Sequence, residues 1–157
     1  MRKIFVTILH FTLAGGLVYG QFNQPWRGKK CAVVITYDDA YDQQLDNAAT
    51  VLDSLGLKAT FYVTGYSRSV QTRLNDWKKL AQNGHELGNH TLFHPCDNSS
   101  GTRNFLTPEY YLNKYTIKRI VDETRMTNLF LQALDGKTKR TFAYTCGDMK
   151  IGDSNFI

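Results

Sequence analysis

The chain has 157 residues, 42% of them hydrophobic and 21% charged. That is enough for one domain with a core, and it excludes a disordered or fibrous chain. The formal net charge is +5, from 19 basic and 14 acidic residues. The basic residues do not gather in one stretch with interleaved aromatics, so the composition carries no nucleic-acid footprint.

The N-terminus reads as an export signal. Arg2 and Lys3 form a basic head, Ile4 to Val18 is largely apolar, and Val18-Tyr19-Gly20 offers a small residue before Gln21. Without Arg2 and Lys3 the balance is 17 basic against 14 acidic residues, or +3. His10, the Gly15-Gly16 pair and the shortness of the run argue against a stable membrane span, an uncleaved anchor being the other reading. Residues 1–20 are expected to be a signal peptide and 21–30 a polar linker, with the mature protein secreted or periplasmic. Export permits disulfides.

From residue 31 the pattern alternates. Cys31 to Tyr37 is a continuous apolar run, too short for a helix, and predicts a strand covered on both faces. Leu45, Ala48, Ala49, Leu52 and Leu55 recur at helical spacing, up to Gly56. Ala59 to Val63 is a second strand, ended by Gly65. Leu74, Trp77, Leu80 and Ala81 mark a second helix, closed by Gly84, and Glu86 to Asn89 a third strand. A polar loop, Asp97 to Asn104, carries the glycosylation sequon Asn98-Ser99-Ser100. Thr107-Pro108-Glu109 is a helix start, with Thr107 as cap and Pro108 at the first position. Apolar residues from Leu112 to Leu134 continue a long helix or a broken pair, ended by Gly136. Thr141 to Thr145 is a fourth strand.

This order implies a parallel sheet with right-handed crossovers. Asp38-Asp39, His90 and Gly147-Asp148 all follow strand ends, as the chemistry of a β/α barrel does. Four strands do not close a barrel, which takes about 200 residues or more. The expected fold class is α/β, a partial, distorted β/α barrel, with 31–157 the N-terminal portion of a longer domain. Cys31 opens the first strand, while Cys96 and Cys146 follow the C-terminal ends of later ones. A parallel sheet then leaves Cys96–Cys146 as the pair within reach; three unpaired, mostly buried thiols are the alternative.

His90 and His94 are four apart, which on a helical turn sets both rings on one side, within reach of one ion. Thr91 stands where the helical metalloprotease motif has its Glu base, so a base must come from elsewhere. Asp38-Asp39 supplies two carboxylates leaving a strand in different directions. One can bind the ion while the other faces the attacking water; a helix N-cap at Asp39 or Asp42 is the competing role. His85 and Trp77 read as packing residues. Tyr66 either lines a groove or packs a loop.

Thr36-Tyr37-Asp38-Asp39, the run Gly84 to His94 and the strand Phe142 to Gly147 resemble the first three motifs of the polysaccharide deacetylases, the NodB-homology or carbohydrate esterase family 4 enzymes. The resemblance covers residues 30 to 150. It implies a distorted β/α barrel, and it implies Asp38 as general base with Asp39, His90 and His94 as metal ligands. The cofactor would be Zn²⁺, or another divalent cation such as Co²⁺ or Ni²⁺. The backbone N–H of Cys146 would meet the oxyanion. The implied partner is an acetylated polysaccharide or oligosaccharide, with acetyl on nitrogen or oxygen.

Two departures stand against full activity. Ala143-Tyr144-Thr145-Cys146 replaces an Arg-Pro-Pro-Tyr-like run, so Ala143 takes the place of the Arg that orients the base. Arg140, three residues earlier, falls on the opposite face of the strand. The Asp-Trp and Leu-x-His motifs have no counterpart, and the histidines are His10, His85, His90 and His94. Lacking a proton donor costs about 10²- to 10⁴-fold in rate. The chain alone is expected to be a weak or inactive hydrolase. The alternatives are a non-catalytic carbohydrate-binding protein on the same fold and an amidohydrolase acting on a small amide.

Overall fold

The computed structural model describes residues 28–156. The signal peptide expected over 1–20 and most of the linker lie outside the described residues. The chain divides into two units, Met1–Val33 and Val34–Ile157. Of the first, the described stretch 28–33 is exposed and carries Cys31 as a free thiol. Among the described residues no helix is long and apolar enough to cross a membrane.

The second unit is built on a parallel sheet in the order β1 (Thr36–Tyr37), β2 (Thr60–Val63), β3 (Glu86–Asn89). Thr36 pairs with Thr60, and Thr60 with Glu86, so the three strands end together. The expected fourth strand is reduced to one parallel bridge, Asn89 to Phe142. The first strand is also shorter than the apolar run, since Val33 and Val34 are 82% and 80% exposed. Among the described residues only β2 flanks β1, so nothing covers those valines and they do not pair.

Asp42 to Ser54 is helical, but its middle, Gln44–Ala49, winds as a π-helix before α1 (Thr50–Ser54). Gly56 ends it in the left-handed region at φ 65°. A short helix that the apolar spacing did not indicate, α2 (Arg68–Thr72), follows β2, capped by the Ser67 hydroxyl. Next comes α3 (Leu74–Gln82), which buries Trp77 and Leu80. The helix expected from Thr107 is broken. Pro108–Tyr110 and Leu112–Lys114 are single 3₁₀ turns, and Thr107 caps neither with its side chain. The long helix is α4 (Ile117–Asp135), whose cap is Thr116 and whose stop is Gly136. A hairpin of β4 (Lys150–Ile151) and β5 (Ser154–Asn155) closes the described chain.

The core lies between the sheet and its helices. Phe61, Trp77, Leu87 and Leu131 are fully buried there, each stabilising by about 1.5–3 kcal/mol over exposure. Trp77 is thus core, its indole N–H donating to Ser69. His85 packs edge-on against Phe61, and its Nδ1 accepts the Ala59 N–H at 3.1 Å. Cys96 and Cys146 are joined in a disulfide, with Cα atoms 5.8 Å apart.

Candidate metal centre

Three chain segments leave the sheet at the same end and meet in one cavity of about 720 Å³. Asp38 and Asp39 follow β1, His90 to His94 follow β3, and Ala143 to Gly147 follow the bridge at Phe142. Neighbouring parallel strands end together, so residues distant in sequence become neighbours in space.

The histidine loop is not helical. Thr91 and His94 adopt left-handed φ of 63° and 54°, and these two residues turn the chain instead. The expected helical turn is therefore corrected, yet the imidazoles still meet, with ring centroids 5.0 Å apart. The loop is held by its own polar groups. Asn89 Oδ1 accepts the Thr91 N–H at 2.7 Å, and Thr91 Oγ1 accepts the His94 N–H at 3.0 Å.

His90 is 2% exposed, and its Nδ1 lies 3.0 Å from the carbonyl of Ala143. A carbonyl only accepts, so Nδ1 carries the hydrogen and Nε2 presents a lone pair. That Nε2 is 3.3 Å from Asp39 Oδ1, and His94 Nε2 is 2.9 Å from the same oxygen. Were those rings to carry hydrogen at Nε2 instead, their hydrogen bonds would hold the Asp39 carboxyl well below the usual carboxylate range. The charge of Asp39 in turn pushes the Tyr41 phenol up.

A carboxylate oxygen facing ring nitrogens calls for positive charge between them. Asp39 Oδ1 is buried and receives no hydrogen bond. The three donor atoms lie within 4.8 Å of one another. Ligands bound tetrahedrally at about 2.1 Å from one zinc ion stand about 3.4 Å apart. The distances from Asp39 Oδ1 are close to that spacing, so the residues fit a divalent cation.

Asp38 lines the cavity beside this group, exposed, with no side-chain hydrogen bond or ion pair among the described residues. Its backbone carbonyl accepts from Gln44, which fixes the turn but leaves the carboxylate free. Neither Asp39 nor Asp42 caps a helix with its side chain. Arg140 does not orient Asp38. It is committed to Asp135 at 2.9 Å, with both side chains almost wholly buried, and to the Leu87 carbonyl. Cys146 lies at φ 56°, and its N–H meets no acceptor among the described residues.

Backbone strain is concentrated here. Among the described residues, the non-glycine positions with left-handed φ are Asp39, Ala40, Thr91, His94 and Cys146. Each lines the cavity or adjoins a residue that does. Such conformations cost about 1–3 kcal/mol each and persist where the surroundings impose them. Sequence reasoning missed several residues of this site, Tyr41 among them. Asn89 anchors the loop, Phe105 is 69% exposed on the cavity wall, and Thr64 presents a buried, unbonded hydroxyl to it. The position of Thr64 directly after a buried strand was the available signal. Tyr66 does not line the cavity; its ring packs on Phe93.

Comparison with known proteins agrees with the geometry. The polysaccharide deacetylase family model matches residues 27–152. The peptidoglycan-N-acetylglucosamine deacetylase of Bacillus cereus is 36% identical over 77 residues, 47% of this chain and 26% of that protein. The Streptococcus pyogenes deacetylase PplD, solved with acetate, superposes with a TM-score of 0.62 at 20% identity, over 78% of this chain and 49% of its own. A CE4 family pseudoenzyme from Bacillus anthracis superposes with a TM-score of 0.52 at 24% identity, over 76% and 36%. These two likenesses speak for the fold, which serves a deacetylase and a pseudoenzyme alike. The chain spans about a quarter of the Bacillus cereus protein and half or less of the two solved ones. With the family model matching most of its length, the chain belongs to the polysaccharide deacetylase family.

Proposed function

We propose that this chain carries the metal centre of a hydrolase that removes acetyl groups, from nitrogen or oxygen, on a polysaccharide. One observation carries the reading: Asp39 and the Nε2 atoms of His90 and His94 converge within 4.8 Å, beside the unpaired carboxylate of Asp38. Asp39, His90 and His94 would hold the cation, zinc or else cobalt or nickel, which suit the same N₂O donors. When bound, that cation supplies Lewis acidity toward an acetyl carbonyl and toward water.

The chain's own groups do the rest. Asp38 accepts the proton of the attacking water. The Cys146 N–H donates to the carbonyl oxygen as charge develops on it. Acetate leaves, and an amine or hydroxyl remains on the sugar. Returning a proton to the leaving group is the weak step. His85 is fully buried and bonded at both ring nitrogens, to Ala59 and Asp53, so it is not a donor for this site. Turnover by these residues alone is therefore slow. Export is part of the same reading, supported by the basic and apolar N-terminal segment and by the Cys96–Cys146 disulfide.

A second reading is a carbohydrate-binding protein without turnover. Ala143, where the family has its Arg, and the lack of a histidine able to return a proton at this site among the described residues favour it. Acetate release from an N-acetylglucosamine oligomer, in the presence of Zn²⁺, separates the two. Asp38→Asn is expected to lower the rate by about 10²-fold or more while zinc binding stays unchanged. Equal rates for the two proteins would remove Asp38 as the base. Retention of the oligomer with no acetate released would select the binding protein.

A further inference from the structure

The Cys96–Cys146 disulfide lies against the candidate metal ligands. Cys96 is two residues beyond His94 and fully buried, and Cys146 lines the cavity. Cys96 Sγ stands 3.6 Å from His94 Nδ1. A disulfide sulfur bears no hydrogen, so Nδ1 is the donor and sulfur the acceptor. A ring that donates from Nδ1 presents the lone pair of Nε2, the atom 2.9 Å from Asp39. His90 reaches the same state by donating to the Ala143 carbonyl. Metal-binding imidazoles almost always give their other N–H to a carboxylate, a carbonyl or water. Among the described residues, the His94 side chain has the disulfide in that place.

The cross-link also ties Cys146, at φ 56°, to Cys96, two residues beyond His94 at φ 54°. The contacts around it work in the same direction. The Thr145 hydroxyl donates to the Pro95 carbonyl, and the Asp97 N–H donates to Asp148 Oδ2 at 2.8 Å. The two segments are thus clamped side by side, one bearing His94 and the other the Cys146 N–H.

We propose that the Cys96–Cys146 disulfide is a positioning element of the metal centre, its Cys96 sulfur fixing the His94 tautomer and its covalent link holding the Cys146 N–H in register with that ring. The proposal rests on the metal-centre reading above. It is tested by Zn²⁺ binding, which needs no turnover. Zinc dissociation constants are measured by chelator competition for the oxidised chain, for Cys96→Ala/Cys146→Ala and for Cys96→Ser/Cys146→Ala. Far-UV circular dichroism checks that each is folded. The double alanine variant is expected to bind zinc about 10- to 100-fold more weakly, as when an outer partner of a ligand histidine is lost. The serine variant restores an acceptor without the link, and is expected to recover part of that loss. A folded double alanine variant binding within twofold of the parent would overturn the proposal.

Nitrogen NMR of the zinc-loaded parent keeps the test open if the variants do not fold. The expected signature is a hydrogen on His94 Nδ1, and a hydrogen on Nε2 instead would overturn the proposal. Failure of the parent itself to bind zinc would remove the metal-centre reading, and this inference with it. Equal binding by parent and variants would remove this inference alone.

Discussion

Asn89 is 1% exposed, and both polar atoms of its side chain are in use. Oδ1 accepts from the Thr91 N–H, while Nδ2 donates to the Thr124 carbonyl at 2.9 Å and to Asn128 Oδ1 at 2.8 Å. Its backbone bonds to Thr141 and Ala143. One side chain therefore ties the histidine loop to α4, and the same residue's backbone ties it to the segment bearing the Cys146 N–H. Asn89→Ala leaves the buried Thr91 N–H without its side-chain acceptor, which costs about 1–3 kcal/mol. It also frees Thr91 from the turn that sets the histidines. The expected outcome is a lower urea midpoint together with weaker zinc binding, where a purely structural residue would change only the first. This division explains what was legible at single positions. Asp38-Asp39 and His90…His94 stood out because carboxylates and imidazoles carry their chemistry in the residue type. Asn89 and Thr64 carry none until the fold buries them, so nothing in their identity distinguished them from turn residues.

Helix ends show where local rules hold and where they mislead. Thr107-Pro108 has the composition of a helix start, but the turn it opens is 3₁₀ and the Thr107 hydroxyl bonds no backbone N–H there. Thr116, nine residues on, accepts the Arg119 N–H at 3.1 Å and caps α4. Thr116→Ala is expected to cost about 1 kcal/mol and Thr107→Ala less than about 0.5 kcal/mol, measured as urea midpoints of the two variants. Equal losses would mean that the capping assignment is wrong. Strands β2 and β3 and helix α3 were legible, because apolar spacing and the closing Gly84 agree with burial. The lost part of β1 was not, since an apolar run reports affinity for a neighbour and not whether one is there. The histidine loop was read as a helical turn because His90 and His94 have helical spacing. Their left-handed turn is imposed by Asn89 and Thr91 hydrogen bonds, which spacing does not record. Gly88 marks a third such constraint, since a Cβ there would stand 2.4 Å from the Tyr62 ring of the adjacent strand.

At the scale of the whole unit, Asp53 gathers three separate pieces of chain. It lies in the last turn of α1, pairs with Lys58, accepts from Asn83 at 2.7 Å just beyond α3, and meets His85 Nε2 at 3.1 Å before β3. Because the Ala59 N–H occupies His85 Nδ1, the hydrogen of that ring lies on Nε2 and points at Asp53. This cluster sits at the N-terminal ends of β2 and β3, across the sheet from the cavity, so it is a matter of stability and not of the site. The Lys58 ammonium, ahead of the Asn83 and His85 hydrogen bonds, holds the Asp53 carboxyl down at about 2. An unfolded chain binds that proton near the ordinary value of about 3.9. Depression on folding means that the contribution is complete above the unfolded value and is lost as pH falls through the folded one. The urea midpoint is therefore expected to hold from pH 7 to 5 and to fall between about pH 4 and 2. Asp53→Asn removes this carboxylate while keeping its shape. It should lower the plateau at neutral pH and flatten the acid decline, with α4 and the cavity segments unaffected. Midpoints taken at pH 7, 4 and 2.5 decide it. A variant whose acid decline is as steep as the parent's would show that the three pieces are held by packing of Phe61 and Trp77 against His85 and its neighbours, and not by this charge.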